Sequence, residues 1–251
     1  MTGSGEFVAS RILNESEIGA FPTGLSFFGP HVHFFVKQTL AIGGEAYLSR
    51  GSDGELSGVF IHDPVERVGS VFTSSREVFE YFFSLKSGSF LFAEVRAEHE
   101  CETYDIYTVD LAESVVHRFG HEITIAEASE ADEIMRFMRP SHPRMNGRWV
   151  KVALSDGDKC FIVRLENEIA GLGWVSLVNG SGRLHSLFVA PLYRRMGIGE
   201  DILHARLLWL KSKGAKMAYS EILRDNIPSV KTALKAKMAV SGQVFIYHPR
   251  A

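Results

Sequence analysis

Cysteine is scarce in this sequence. Only Cys101 and Cys160 occur among 251 residues, and two thiols this far apart predict neither a disulfide framework nor a zinc site. Charge of one sign is not in excess either, because 27 basic and 30 acidic residues leave a net charge of −3. No apolar run approaches the about 20 residues of a membrane span, and the N-terminal sequence lacks the layout of a signal peptide. We therefore expect a cytoplasmic protein that binds neither membranes nor nucleic acid.

The sequence does contain enough apolar residues for a folded core. Hydrophobic residues make up 45% of the chain and charged residues 23%, as in ordinary globular proteins. A chain of 251 residues can form one large domain or two smaller ones. One set of strand-like segments ends, and another begins, within residues 110–129. The sequence therefore predicts an N-terminal domain over residues 1–118 and a C-terminal domain over residues 119–251.

The C-terminal half alternates between strand and helix patterns in an order that predicts an α+β fold. Two strand-like runs flank the short polar connection Glu166–Glu168, which is typical of an antiparallel hairpin. A further strand leads into a helix from about residue 197 to residue 213, and a strand, a helix and a last strand follow. We expect a mixed, mostly antiparallel central sheet that is flanked by helices.

The N-terminal half has a shorter version of the same order, namely hairpin, strand, helix and strand. Its hairpin has a turn signal at Asp53 and Gly54, and its helix begins near Ser75. Two explanations stay open. This smaller α+β domain is a diverged repeat of the C-terminal half, or the shared order arises by chance, as it can in any mixed α and β domain.

The most informative segment is VAPLYRRMGIGEDIL, at residues 189–203, which joins the end of a strand to the start of a helix. The first amides of a helix have no partner within it, and the helix dipole gives them partial positive charge. They can therefore bind phosphate where no side chain blocks the main chain. Gly197 and Gly199 leave that space free, and Arg194 and Arg195 add positive charge. The segment predicts a binding site for a diphosphate.

In this context the segment resembles the pyrophosphate loop of the GNAT superfamily of acyl-CoA-dependent N-acyltransferases. The loop of that family has the form Arg/Gln-x-x-Gly-x-Gly/Ala, which Arg194, Gly197 and Gly199 match. The resemblance covers about residues 121–248 and includes the order of the strands. It implies a GNAT-like fold for this part of the chain and acetyl-CoA, or another acyl-CoA, as co-substrate.

The resemblance also implies which residues contact the co-substrate. In the family, the loop binds the diphosphate, the strand before it offers main-chain groups to the pantetheine arm, and an asparagine after the next strand lies near that arm. By position, the loop adds Met196 and Ile198, the strand residues are Leu187, Phe188 and Val189, and the asparagine and its neighbour are Asn226 and Ser229.

Acyl transfer to an amine needs a base, and the sequence offers two candidates. His185 belongs to the strand that ends at Val189, and histidine titrates in the useful pH range. Strict alternation along that strand would place Leu187 and Val189 on the same face as His185. Glu221, near the end of the next strand, is the second candidate. Each has a plainer alternative, because His185 can be a packed histidine and Glu221 a surface carboxylate.

Two positions depart from the family. Some members carry a glutamate base six residues before the valine, where this sequence has Arg183. Many members carry a tyrosine about seven residues after the asparagine, as the acid that protonates the thiolate, and this sequence has Ala233 there. Tyr193, Tyr219 or solvent could supply that proton instead.

The expected function is transfer of an acetyl or other short acyl group from acyl-CoA to a primary amine by direct attack. The main alternative is a protein that binds or senses acyl-CoA without turning it over. A more distant one is an interaction protein whose basic C-terminal surface meets nucleic acid or an acidic partner, although the acidic balance of the whole chain argues against it. No spacing of histidines assembles a metal site, so no metal is expected. The sequence identifies neither the amine, nor the acyl chain length, nor the role of the N-terminal half, and a homodimer stays open.

Overall fold

The structure is a computed structural model, and it describes residues 7–22, 24–86, 88–112, 117–142 and 147–249. By packing, the chain divides into two compact units, of which the first consists of Met1–Tyr104 and Gln243–Ala251 and the second of Asp105–Gly242. The domain boundary expected between residues 118 and 119 stays a prediction. The limits of the packed units differ from it because two strands continue from one unit into the other.

The strands and helices are numbered in chain order. The strands are β1 (Phe7–Ile12), β2 (Glu45–Gly51), β3 (Leu56–Asp63), β4 (Val68–Phe72), β5 (Phe90–Ala93), β6 (Cys101–Asp110), β7 (Thr124–Ile125), β8 (Lys159–Leu165), β9 (Glu168–Val178), β10 (Ser181–Val189), β11 (Met217–Leu223) and β12 (Ala239–Tyr247). The helices are α1 (Val32–Ala41), α2 (Arg76–Leu85), α3 (Ala131–Met138), α4 (Gly147–Ser155), α5 (Ile198–Ser212) and α6 (Ile227–Lys235). Among the described residues, no helix is both long enough and apolar enough to cross a lipid bilayer.

The N-terminal unit is a sheet with the helices α1 and α2. Strands β1 to β4 are successive antiparallel neighbours, and β5 lies parallel to β4, with α2 as the connection between them. Helix α2 begins after its N-cap Ser75, whose hydroxyl accepts a hydrogen bond from the amide of Val78 at 3.3 Å. Its apolar side presents Phe79, Phe82 and Phe83 to the core of this unit.

The C-terminal unit has the same succession of elements. Strands β7 to β10 are successive antiparallel neighbours, and β11 lies parallel to β10, with α5 as the connection. Glu166 and Asn167, between β8 and β9, have φ of 52° and 67°, as a two-residue hairpin turn requires. Residues 105–110 of β6 lie beside β11, between it and the first residues of β12. The predicted mixed, mostly antiparallel sheet with flanking helices is confirmed.

The two units share the order of their elements as far as the parallel strand, after which the C-terminal unit continues with α6 and the first residues of β12. Both begin with a short strand and a helical segment, continue with three antiparallel strands, and then have a helix that leads to a parallel strand. A parallel neighbour requires such a crossover, which α2 supplies in one unit and α5 in the other. This shared order favours a diverged repeat over chance recurrence.

Helix α5 is the main helix of the C-terminal core. It packs against β8, β9 and β10. Its buried apolar side chains recur every three or four residues and so lie on one side of the helix; they are Ile198, Ile202, Leu203, Leu207 and Leu210. This packing fixes the start of the helix at the end of β10.

Candidate functional site

Strand β10 contains a bulge just before the glycine-rich loop. His185 lies opposite Trp174 of β9, whereas Phe188 lies opposite Leu172, so three steps along β10 match two steps along β9. Ser186 is within the bulge and has φ of 49°. One extra residue reverses the alternation of the side chains that follow it.

The expectation that Leu187 and Val189 share a face with His185 is therefore wrong. Side-chain carbons of Leu187 and Val189 lie 3.9 Å and 3.6 Å from the place where Gly199 of α5 would carry a β carbon, and both residues pack against the core of which α5 is part. Phe188 takes the face of His185, and its ring packs against a phenylalanine of α3 at a centroid distance of 5.3 Å. The bulge thus directs Leu187 and Val189 toward the start of α5.

Strands β10 and β11 separate after a short ladder. Among the described residues, the ladder joins only residues 181–183 of β10 to residues 217–219 of β11. Strand β10 continues to Val189 and β11 to Leu223. Residues 184–189 consequently do not pair with β11 along that edge. An extended arm of a ligand can pair with the main chain of such an edge as a strand would.

Helix α5 begins in a loop that leaves its first amides open. Gly197 is the N-cap, with φ of 86°, and no side chain caps the helix. The carbonyl of Gly197 accepts hydrogen bonds from the amides of Glu200 and Asp201, both at 3.0 Å. Within the described residues, the amides of Gly197, Ile198 and Gly199 donate to no acceptor. These three amides are therefore available to an anion.

The loop side chains assigned to the diphosphate differ in exposure. Arg194, Arg195 and Met196 are exposed. The Nε of Arg194 donates to the carbonyl of Val189 at 3.2 Å, which holds the guanidinium at the end of β10. Ile198 is 1% exposed, so only its main chain can contact a ligand.

Gly199 has no structural need to be glycine. A β carbon there would lie 3.6 Å from Cγ2 of Val189, which is an ordinary van der Waals contact, and the φ of Gly199 is not in the left-handed region. The fold alone would accept a larger residue at this position. A ligand that closely approaches the main chain would not accept a bulky one.

Asn226 has a structural role at the start of α6. Its Oδ1 accepts a hydrogen bond from the amide of Ser229 at 3.4 Å, as the N-cap of the helix. Both residues follow β11, the strand that separates from β10. Contact of Asn226 or Ser229 with the co-substrate stays a prediction.

His185 lies beside a buried carboxylate. Its Nε2 is 3.3 Å from Oγ of Ser176 and 3.9 Å from Oδ2 of Asp158, and Asp158 is 1% exposed. The ring of Trp149 meets the imidazole edge to face, with a centroid distance of 5.7 Å. At this distance the carboxylate does not hydrogen-bond the ring, but its charge would stabilise an imidazolium. No sequence pattern marks Asp158, because a full hairpin separates it from His185.

Glu221 is an ion-pair partner. Its Oε1 accepts a hydrogen bond from Nε of Arg183 at 2.9 Å, and its side chain is 6% exposed. Its description as a surface carboxylate is therefore wrong. One of its two oxygens is held by Arg183 and the side chain is nearly closed to solvent, which makes Glu221 a weaker candidate for the base than His185.

The position of the family's tyrosine lies in the core of the unit. Ala233 is 2% exposed, on the buried side of α6. Of the two tyrosines that could act as the acid, Tyr219 is 1% exposed, and Tyr193 is partly exposed in the loop before α5. Exposure favours Tyr193 or solvent.

Arg206 is a buried cation that sequence patterns did not mark. It is 2% exposed, and its Nη1 donates to the carbonyl of Trp174 at 2.9 Å and to that of His185 at 3.4 Å. Burial lowers the pKa of Arg206 to about 9. Because Trp174 and His185 are the last pair before the bulge, the guanidinium fastens both strands at that point. A lone arginine within an amphipathic helix is predicted from sequence to be exposed to solvent.

Comparisons with known proteins agree with this geometry. Residues 124–236 match the family model described as the acetyltransferase (GNAT) family. The uncharacterized N-acetyltransferase YobR of Bacillus subtilis (strain 168) is 29% identical over 73 residues. That match spans 29% of this chain and 30% of the relative, so it covers less than two thirds of that protein.

Solved structures with a similar fold extend over both units. A GCN5-related N-acetyltransferase from Sphaerobacter thermophilus superposes with a TM-score of 0.65 at 13% identity, over 98% of this chain and 96% of that one. A tandem GNAT protein from the clavulanic acid biosynthesis pathway has a TM-score of 0.63 at 12% identity, over 98% and 99% of the two chains. At this level of identity the likeness concerns the fold, and it includes the N-terminal unit.

Proposed function

Because this chain belongs to the GNAT superfamily, we propose that it is an acyl-CoA-dependent N-acyltransferase that moves an acetyl or other short acyl group to a primary amine. The observation that carries the proposal is the uncapped start of α5 beside the unpaired edge of β10. An enzyme for acyl-CoA needs an anion site for the diphosphate and an extended edge for the pantetheine arm. These two features supply both needs.

The diphosphate would accept hydrogen bonds from the amides of Gly197, Ile198 and Gly199. Arg194 and Arg195 would add formal charge at the mouth of the helix, where the helix dipole also favours an anion. The side chain of Met196, which is exposed in the same loop, would lie against the outside of the bound group.

The pantetheine arm would follow β10 at Leu187, Phe188 and Val189. Its amide groups would pair with main-chain groups that have no partner on β11. Asn226 and Ser229, at the start of α6, would contact the arm from the side of β11. This arrangement brings the thioester to the bulge and therefore close to His185.

The reaction is a direct transfer. The amine nitrogen attacks the thioester carbonyl, and a main-chain amide near Val189 stabilises the negative charge on the carbonyl oxygen. His185 accepts the proton that the amine loses, directly or through one water molecule, and Asp158 stabilises the imidazolium. The carbon–sulfur bond then breaks, and the thiolate of CoA takes a proton from solvent or from Tyr193.

The N-terminal unit has no equivalent anion site among its described residues. Its corresponding helix, α2, is capped by Ser75, so a side chain already satisfies an amide that a phosphate would need. We therefore expect one molecule of acyl-CoA per chain.

The alternative is a protein that holds acyl-CoA without turnover. Arg183 at the position of the family's glutamate and Ala233 at that of its tyrosine favour it. Both functions share the binding site, and they differ in whether an amine releases the thiol.

Amine-dependent release of CoA tests the proposal. The purified chain is incubated with acetyl-CoA and a panel of amino acids, polyamines, amino sugars and peptides, while free thiol is followed by a colour reagent and products by mass spectrometry. We expect thiol and an N-acetylated product in equal amounts with at least one amine class. Tight CoA binding without release across the panel would support the alternative, and no CoA binding would overturn both.

A further inference from the structure

A group of histidines lies beside the first turns of α5, on residues that the acyl-transfer site does not use. His204 is one turn beyond Glu200 on the helix, and His117 comes from the segment that precedes β7. The carboxylate of Asp201 accepts from His117 at 2.6 Å and from His121 at 2.7 Å. The side chains of His117, Glu200 and His204 each offer a ligand atom within 4.8 Å of the others.

Hydrogen bonds fix which nitrogen of each ring keeps its lone pair. Nδ1 of His204 lies 2.9 Å from the carbonyl oxygen of Glu200, and a carbonyl can only accept, so Nδ1 carries the proton and Nε2 does not. Nε2 of His117 donates to Asp201, which leaves the lone pair of its neutral ring on Nδ1. Histidines that bind metals show this pattern, with one ring nitrogen donating to a carboxylate or carbonyl and the other on the ion.

Glu200, the third of these side chains, already forms an ion pair. Nζ of Lys235 is 2.7 Å from Oε2 of Glu200, so an ammonium group occupies the place where an ion would bind this carboxylate. Two imidazoles and one carboxylate are a ligand set that suits Zn²⁺ with an open fourth position for water.

We propose that His117, Glu200 and His204 bind one divalent transition-metal ion of the zinc type, and that the ion displaces Lys235 from Glu200. The ion would join the segment at His117 to the start of α5. Sequence spacing gave no signal for this site, because more than 80 residues separate His117 from the two helix residues.

The rings must reorient slightly to accept the ion. The imidazoles of His117 and His204 are stacked, with centroids 3.9 Å apart and an angle of 5° between their planes. Two parallel rings cannot both direct an in-plane lone pair at one ion, so one ring has to tilt. His117 is partly exposed, whereas His204 is buried, and the tilt therefore falls on His117.

The chain offers a matched control in His121. This residue bonds the same carboxylate of Asp201 but belongs to no ligand set, so His121→Gln removes an equivalent hydrogen bond and leaves the three ligands intact. Lys235→Met provides a test in the opposite direction, because it removes the competing ammonium from an exposed position.

The experiment is a Co²⁺ titration of the chelator-treated full chain, followed by visible absorption, with Zn²⁺ competition measured by calorimetry. We expect one ion per chain, binding at least about 10-fold weaker in His117→Gln and His204→Gln, unchanged in His121→Gln and tighter in Lys235→Met. Circular dichroism checks that each variant is folded, and if His204→Gln does not fold, the other three variants decide. Absence of stoichiometric binding, or equal weakening by His117→Gln and His121→Gln, would overturn the proposal, and neither result bears on acyl transfer.

Discussion

Gly199 and Val189 face each other with room to spare: a β carbon on Gly199 would lie 3.6 Å from Cγ2 of Val189. Gly199→Ala should therefore fold, and it should raise the free energy of unfolding by about 0.5–1 kcal/mol, since alanine is the better helix former. Because the loop of the family has glycine or alanine here, Gly199→Ala should leave CoA affinity nearly unchanged. The larger side chain of Gly199→Leu should weaken CoA binding by about 10-fold or more, because it stands where the diphosphate approaches the amides. Thermal unfolding and calorimetric titration with CoA measure the two effects.

The other end of the same helix supplies the control. Gly214 has φ of 77°, so Gly214→Ala should lower the free energy of unfolding by about 1 kcal/mol and leave CoA affinity unchanged. Equal CoA affinity in a folded Gly199→Leu and the unaltered chain would refute the anion site at α5.

His185→Gln should reduce kcat by about 100-fold or more, the usual contribution of a general base, with little change in KM for acetyl-CoA. The reason is that His185 lies next to the proposed position of the thioester, at the bulge of β10, and not next to the diphosphate. Steady-state rates with a saturating amine measure the effect. Glu221→Gln is the comparison, and a larger loss there than in His185→Gln would assign the base to Glu221 instead.

Arg206→Met should destabilise the C-terminal unit, because it leaves the carbonyls of Trp174 and His185 buried without their donor. An orphaned buried acceptor costs about 1–3 kcal/mol. The control is Lys213→Met, which removes an exposed cation next to the end of the same helix. Urea unfolding of both variants separates the effect of the lost hydrogen bonds from the effect of the lost charge. Equal stability of the two variants would contradict this role of Arg206.

Calorimetry should give one CoA per chain, since Ser75 caps the helix of the N-terminal unit. Ser75→Gly would remove that cap, at a modest cost in stability, without creating a second site, because no Arg-x-x-Gly-x-Gly pattern precedes the helix. A stoichiometry of two for the unaltered chain would show that the N-terminal unit also binds the co-substrate.

Short sequence patterns were sufficient to predict those turns and helix ends that depend only on residues close together in the chain. The hairpin turn at Glu166 and Asn167, the limits of α5 and the glycine N-cap follow from turn and cap chemistry within a few residues. The start of the site at α5 was therefore predictable, although its occupancy by CoA stays a prediction.

The bulge at Ser186 was not predictable, because its positive φ occurs at a serine, with no glycine to mark it. That single extra residue moved Leu187 and Val189 to the opposite face from the expected one. Asp158 and Arg206 gained their roles through burial and tertiary contacts, which leave no local pattern in the sequence.

Residues 105–110 of β6 belong to the C-terminal unit although they precede the boundary that the sequence predicts at residue 119. In the sheet they lie between β11 and β12. A fragment that begins at residue 119 would contain every loop of the proposed acyl-CoA site and still lack the strand between β11 and β12. We expect such a fragment to aggregate, so that removal of the N-terminal residues would cost the C-terminal sheet one of its inner strands.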